Sequence, residues 1–319
     1  MNEPLATKIS SAISDCMSRS TYLRGPETKS FEEEWAEFCG QKYAVTCNSG
    51  TDALEIATNA LGLKNVYLQA NTLPLSGIGI ARGGAKIQIS EVDSDGHITS
   101  DKENSVPVLL FGRNPKSNLA LLYDAAHAHG WQPPINSCAA WSFYPTKTLG
   151  ALGDAGAITT NDENLAQTMI ELCGRDDELR NSRQTTSRID EIQAAILRIK
   201  LKNLPDWLNQ RQIIADQYNS RLSQLGITLT GKSHNHIYAI RVKQRDLLRR
   251  ALSNAGIETK IHWSRSLNKV AGPWNTSGNF LNAESWASEI LSLPMYPGLT
   301  EVQVDFICDS IEDFMILKK

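Results

Sequence analysis

Short apolar runs of β character alternate with helix-like stretches through the first two thirds of the chain, and this alternation restricts the fold more than any other feature. KYAVTCNSG, NVYLQA, KIQISEV, VPVLLFG, ALLYDAAHAHG, AAWSFYPTK and AGAITTND are each long enough for one strand, and segments such as TDALEIATNALGL lie between them. Strands joined by helical crossovers pair in parallel, and a parallel sheet needs helices on both of its faces. The pattern predicts an α/β class with a mostly parallel central sheet between helices.

From about residue 162 the pattern turns helical and charged, first in ENLAQTMIELCGRDDEL and then from SRIDEIQAAILRIKL to about residue 225. Ile189, Ile192, Ala195, Ile196, Ile199 and Leu204 fall near helical period, so one face of that segment is expected to be buried. The last third is mixed. HIYAIRV and ETKIHW read as strands, QRDLLRRALSNAGI as a helix closed by Gly256, AGPWNTSGNFLNAES as a loop, and TEVQVDFICDSIEDFMI as a terminal helix entered at Thr300. The expected organisation is an N-terminal segment (1–25), a large domain (26–220) and a smaller α+β C-terminal domain (221–319).

A chain of 319 residues is long enough for a sizeable core. Its 32 Lys and Arg against 35 Asp and Glu, with no basic run, argue against nucleic acid as a partner. The six cysteines are scattered without a CxxC pair or a metal-ligand spacing, which points to reduced thiols and a cytoplasmic protein. No signal peptide and no membrane-spanning stretch is expected.

Three segments carry candidate chemistry. In CNSGTDALEIA a strand turns through Gly50 into a helix beginning with Thr51 and Asp52; N–H groups there can hold a phosphate or simply be capped. In LLYDAAHAHG a strand delivers Asp124 at its C-terminal end, where α/β sheets bind ligands, although an Asp there also suits a helix cap. His127 and His129 follow without a third metal ligand nearby. In SFYPTKTLGALGDAGAITTND, Ser142 and Lys147 flank an aromatic-proline turn. A desolvated lysine is a candidate for imine formation with a carbonyl; a surface lysine is the alternative. Together the three segments supply a phosphate anchor, an acid and an amine, the parts that hold pyridoxal phosphate.

On these motifs the chain resembles the DegT/StrS family of pyridoxal phosphate-dependent sugar aminotransferases. YLRGPETKSFEEEWAEFCGQKYAVTCNSGTDALEIA, YDAAHAHG, SFYPTKTLGALGDAGAITTND, SRIDEIQAAILRIKL and LSLPMYPGLTEVQV carry the resemblance over about residues 20 to 315. It implies a fold type I transferase and a homodimer with the active site at the interface. By the same resemblance Lys147 forms the Schiff base with the cofactor and carries protons, and Asp124 faces the pyridine nitrogen. Ser142, Gly50, Thr51 and Asp52 hold the phosphate. His127 stands where the family usually has a Gln near the phenolic oxygen. Arg188 is implied to reach the neighbouring subunit's site, a surface ion pair being the alternative. His262 is implied to help bind the acceptor; Trp263 packs against its ring or within the core.

The sequence also departs from the family. VLLFGRNPKSNLALLYDAAHAHG leaves little room for a crossover helix, and GWQPPINSCAAWSF lacks a glycine-containing turn. Leu73 replaces an aromatic that stacks on the cofactor, forfeiting about 0.5–1.5 kcal/mol. Thr186 stands where an asparagine from the neighbouring subunit reaches the phosphate, and HWSRSLNKV lacks a proline and a second histidine. The resemblance implies transfer of an amino group from an amino acid, glutamate being expected, to a keto sugar linked to a nucleotide. The alternatives are another cyclic ketone in natural-product assembly, or a catalytically impaired regulatory or partner protein. Lys147 argues against the family's dehydratases, which carry histidine there, and the absence of GxGxxG after the first strand argues against a dinucleotide dehydrogenase.

Overall fold

The computed structural model describes residues 5–174 and 184–316. Two helices, α1 (Ala6–Arg19) and α2 (Pro26–Phe38), precede the first strand, β1 (Tyr43–Cys47). Next come α3 (Gly50–Ala60), β2 (Asn65–Gln69), α4 (Pro74–Arg82) and β3 (Lys86–Ser90), and then β4 (Ser105–Val106), β5 (Leu122–Asp124), β6 (Cys138–Ser142) and β7 (Gly156–Thr160). Three helices follow: α5 (Glu163–Leu172), α6 (Glu191–Leu201) and α7 (Leu204–Leu222). The remainder comprises β8 (Tyr238–Arg241), α8 (Arg245–Asn254), β9 (Trp274–Asn275), α9 (Leu281–Glu289), β10 (Ile290–Leu293) and α10 (Glu301–Ile316).

The helix starts follow from local chemistry. Ser49, Asp162 and Asp190 cap α3, α5 and α6 by accepting the N–H groups of Asp52, Leu165 and Gln193. Pro26 and Pro74 sit in first turns, where a missing N–H costs nothing. Glu191 is fully buried and accepts the N–H groups of Gly25, Glu27 and Thr28, tying the start of α2 to α6.

Strands β4, β2, β3 and β9 pair in parallel in that order, and β1, β7, β6 and β5 form the adjoining half. The halves meet where Val108 bridges Asp124 in parallel, with Leu109 N–H donating to the Asp124 carbonyl at 2.9 Å and Asp124 N–H to that of Pro107 at 3.0 Å. Only β7 runs against its neighbours, so the layer is mostly parallel, as the alternation predicts. Successive residues of β6 face opposite sides: Cys138 and Ala140 join one core with α3, α4 and α5, whereas Ala139 and Trp141 join a second with α2 and α6. Each side is therefore sealed by apolar contact, leaving the strand ends for the site.

A third core unites the end of α7 with β8, β10, α8 and α10. Its members Ile214 and Tyr218 precede the division expected at residue 220, while Phe280, Ala283 and Trp286 return to the first core and Trp274 pairs with Ile87 of β3.

Three expectations are corrected in detail, and one is met. AGPWNTSGNFLNAES holds strand β9 and the start of α9, because the Trp274 indole packs on Gly77 and donates to the Leu267 carbonyl at 3.1 Å. ETKIHW forms only an isolated bridge, Lys260 to Ser292. The periodic segment from Ile189 to Leu204 is two helices, α6 and α7, the second restarting with Pro205 in its first turn. Neither the β4–β5 nor the β5–β6 connection contains an α-helix; the first has only a 3-10 turn at Leu110–Gly112, the compression that the short spacing implies. The part of the helix expected after residue 174 lies outside the described residues.

Candidate active site

The site lies at the C-terminal ends of β5 and β6, opposite the start of α3, around a cavity of about 400 Å³. At its floor, Gly50 opens α3 against Ser142 at the end of β6. A Cβ on Gly50 would lie 2.8 Å from the Ser142 Cβ, so the close approach requires glycine. Ser49, Gly50, Thr51 and Ser142 all line the cavity, placing hydroxyls and a helix start together. Asp52 differs from its expected role. Its N–H is donated to Ser49 Oγ, and its carboxylate accepts from Ser187 Oγ at 2.7 Å and meets Arg82 at 3.4 Å. The carboxylate thus turns away from a position where it would repel an anion.

Asp124 is delivered by β5 and buried. Ser76 Oγ donates to its Oδ2 at 2.7 Å and Ala126 N–H to its Oδ1 at 3.1 Å. No helix follows, so Asp124 closes a short turn instead of capping one. Burial raises its pKa, opposed by the Ser76 and Ala126 hydrogen bonds and the Lys147 charge. Such an acid wants a cationic partner.

Lys147 stands on the loop between β6 and β7. The loop is closed by Ala151 N–H donating to the Phe143 carbonyl at 2.8 Å, and turned by Lys147 N–H donating to that of Tyr144 at 2.8 Å. Burial brings the Lys147 amine down to about 8, with Asp124 pulling the other way. A lysine so placed has a usable neutral fraction near physiological pH, which separates it from an exposed one.

Leu73, His127, His262 and Trp263 also line the cavity. The Phe111 N–H donates to His127 Nδ1 at 3.3 Å, which leaves the proton of the neutral ring on Nε2. The ring lies 4.7 Å from that of His236, whose Nδ1 is 3.1 Å from Thr148 Oγ1. His262 Nδ1 meets Ser292 Oγ at 2.8 Å, and burial lowers its pKa to about 4. Thr186 and Arg188 stand apart from this cavity, Thr186 exposed and Arg188 half-buried.

Sequence reasoning missed Ser76, Ser187 and His236. Ser76 lies in the first turn of α4, three residues after Leu73, and its spacing gave a signal only in retrospect; the other two are brought in by tertiary packing alone.

A buried acid, a depressed lysine, a hydroxyl-lined helix start that a Cβ would fill, and two flanking histidines form one donor set, and this set fits pyridoxal phosphate. Fold and site together define a pyridoxal phosphate-dependent aminotransferase. The chain belongs to the DegT/DnrJ/EryC1/StrS aminotransferase family, whose model matches residues 4–103 and 114–312; the unmatched interval contains β4 and the start of the compressed β4–β5 connection. It is 33% identical to the erythromycin biosynthesis sensory transduction protein EryC1 of Saccharopolyspora erythraea, over 97% of this chain and 95% of that protein. It is 32% identical to dTDP-3-amino-3,4,6-trideoxy-alpha-D-glucose transaminase of Streptomyces venezuelae, over 98% and 93%. Among solved structures, S. venezuelae DesV in complex with a ketimine intermediate superposes with a TM-score of 0.90 at 30% identity, covering 98% of this chain and 95% of that one.

Proposed function

We propose that this aminotransferase moves an amino group from an amino acid, with glutamate as donor, to the carbonyl of a keto sugar linked to a nucleotide. The observation that carries the reading is the pairing, in one cavity, of a lysine held near 8 with a buried carboxyl at the strand end. The sugar-nucleotide activities of similar transaminases support the sugar acceptor.

Bound pyridoxal phosphate supplies a carbonyl carbon for imine exchange and a ring that withdraws electrons. Lys147 would hold that carbon and, once released, carry a proton to and from the substrate carbon. Asp124 would keep the ring nitrogen protonated, and the cation there would return the acid to its charged form. Gly50, Thr51 and Ser142 would hold the phosphate, and Asp52 would brace them through Ser187. His127 would donate from Nε2 to the phenolic oxygen, Leu73 would cover one ring face, and His262 and Trp263 would border the acceptor.

A second protomer would complete the site, bringing Thr186 and Arg188 to its neighbour's cavity. Leu75 and Tyr144 line this cavity yet are 49% and 52% exposed, as residues at such an interface would be in a single protomer. Among the described residues no helix is long and apolar enough to cross a membrane, and the six cysteines are buried and outside any disulfide, in keeping with a cytoplasmic enzyme.

The test is to load the protein with cofactor, add glutamate and measure 2-oxoglutarate, then offer nucleotide-linked keto sugars beside simple cyclic ketones. Amino-sugar product by mass spectrometry is the expected result. Turnover of cyclic ketones alone would favour the other acceptor class, and no 2-oxoglutarate from a loaded protein would refute glutamate as donor.

A further inference from the structure

His129 lies five residues beyond Asp124, is 1% exposed and does not itself line the cavity. The Leu149 N–H donates to its Nδ1 at 2.9 Å, which places the proton of the neutral ring on Nε2; that nitrogen lies 3.1 Å from the Ser142 carbonyl and donates to it. Ser142 and Leu149 are the two limbs of the loop that carries Lys147. The backbone closes this loop through Phe143, which pairs with both Ala151 and Ala155, and His129 adds a side-chain tie between Ser142 and Leu149. The ring is itself wedged, with the Trp35 indole edge-on at 5.4 Å and Phe143 at 5.5 Å, so it has little freedom to follow a moving loop.

We propose that His129 is a positioning residue for Lys147, its two ring nitrogens joining the limbs of the loop so that the amine is held in the cavity before any ligand arrives. The proposal rests on reading Lys147 as the reactive amine. An imidazole suits the task because it offers one acceptor and one donor at a fixed spacing on a rigid ring. Burial pushes its pKa to about 3, so it stays neutral and keeps both bonds through the working range. Protonation would break the Leu149 bond by removing the acceptor.

Loosening the loop would hydrate the amine, and its pKa would rise from about 8 toward the ordinary lysine value. The groups facing Lys147 across the cavity, Asp124, Asp154, His127, His236 and His262, remain in place in such a variant.

The experiment strips the full-length chain of cofactor, mixes it with pyridoxal phosphate, and follows imine absorbance against pH. Borohydride trapping and peptide mapping identify the lysine. His129→Phe keeps the aromatic packing and removes both bonds; His129→Gln and His129→Asn each offer a shorter or longer amide that can restore one. In His129→Phe the midpoint is expected to rise by about one pH unit, with imine formation at pH 7 slowed about tenfold. The amide variants should fall between. Should His129→Phe not fold, the two amide variants alone decide. Midpoints equal to wild type in every folded variant, even with a lowered melting temperature, would overturn the positioning role and leave Lys147 as the reactive amine. Trapping on another lysine in the wild type would overturn the reading beneath it.

Discussion

Acidification should destabilise this protein well before its carboxylates are all protonated, because its histidines are held neutral. All six, His97, His127, His129, His234, His236 and His262, have pKa values lowered chiefly by burial. A group whose folded pKa lies below its unfolded value binds more protons unfolded, so stability is present above the unfolded value and drains as pH falls. For His129, between an unfolded value of 6.5 and a folded value of about 3, the loss on going from pH 8 to pH 5 is about 2 kcal/mol. The window opens near pH 6.5. Asp124 and Glu55, raised by burial, act in the opposite sense over the carboxylate range, but they are two against six. Lys147 is protonated in both states below about pH 7 and contributes nothing to this slope. With a urea dependence on the order of 3 kcal/mol per M for a chain of this size, His129 alone lowers the unfolding midpoint by about 0.7 M. The assay is urea unfolding followed by tryptophan fluorescence at pH 8, 7, 6 and 5. A midpoint that stays level from pH 8 to pH 5 would refute the claim that these rings are buried as neutral groups.

Gly50→Ala places a methyl against Ser142 at the phosphate floor, and cofactor affinity should weaken about tenfold or more, measured by absorbance titration; unchanged affinity would mean that the two elements can part at little cost. Ser76→Ala removes the 2.7 Å bond to Asp124, and a hydrogen bond to a charged group is worth about 1.5–3 kcal/mol, so kcat/KM should fall about tenfold or more in steady-state assays. A change below twofold would show that Asp124 does not depend on that donor. His127→Gln replaces a ring donor with an amide, and the spectroscopic pH midpoint of the cofactor imine should move; an unmoved midpoint would show that His127 has no electrostatic hold on the cofactor.

The alternation of apolar runs was enough to read the α/β layer, because each strand of a buried parallel sheet must be apolar on both faces, and Trp141 and Ala140 serve opposite cores from adjacent positions. Strand β9 was not legible. Two residues carry no periodicity, and its pairing depends on where Gly77 leaves space for an indole. The site was legible where function demands an unusual residue in a regular place: an acid at a strand end, a lysine in a hydroxyl-rich loop, a glycine at a helix start. The direction of the Asp52 carboxylate was not legible, because a residue in a first helical turn can turn it toward a ligand or away, and Ser187, far along the chain, decides which. His129 and His236 stayed silent for a similar reason, since their partners Leu149, Ser142 and Thr148 are fixed by the fold.

The central claim is that Lys147 is the lysine that joins the cofactor. A second lysine makes the test discriminating: Lys200 is buried, is likewise lowered to about 8, and donates to the Gly150 carbonyl at 2.5 Å, three residues from Lys147. The direct measurement is borohydride reduction of the cofactor-loaded protein, followed by mass spectrometry of the labelled peptides. A single adduct on Lys147, lost in Lys147→Ala together with the imine absorbance, is the predicted result. An adduct on Lys200, or imine absorbance that survives Lys147→Ala, would contradict the account.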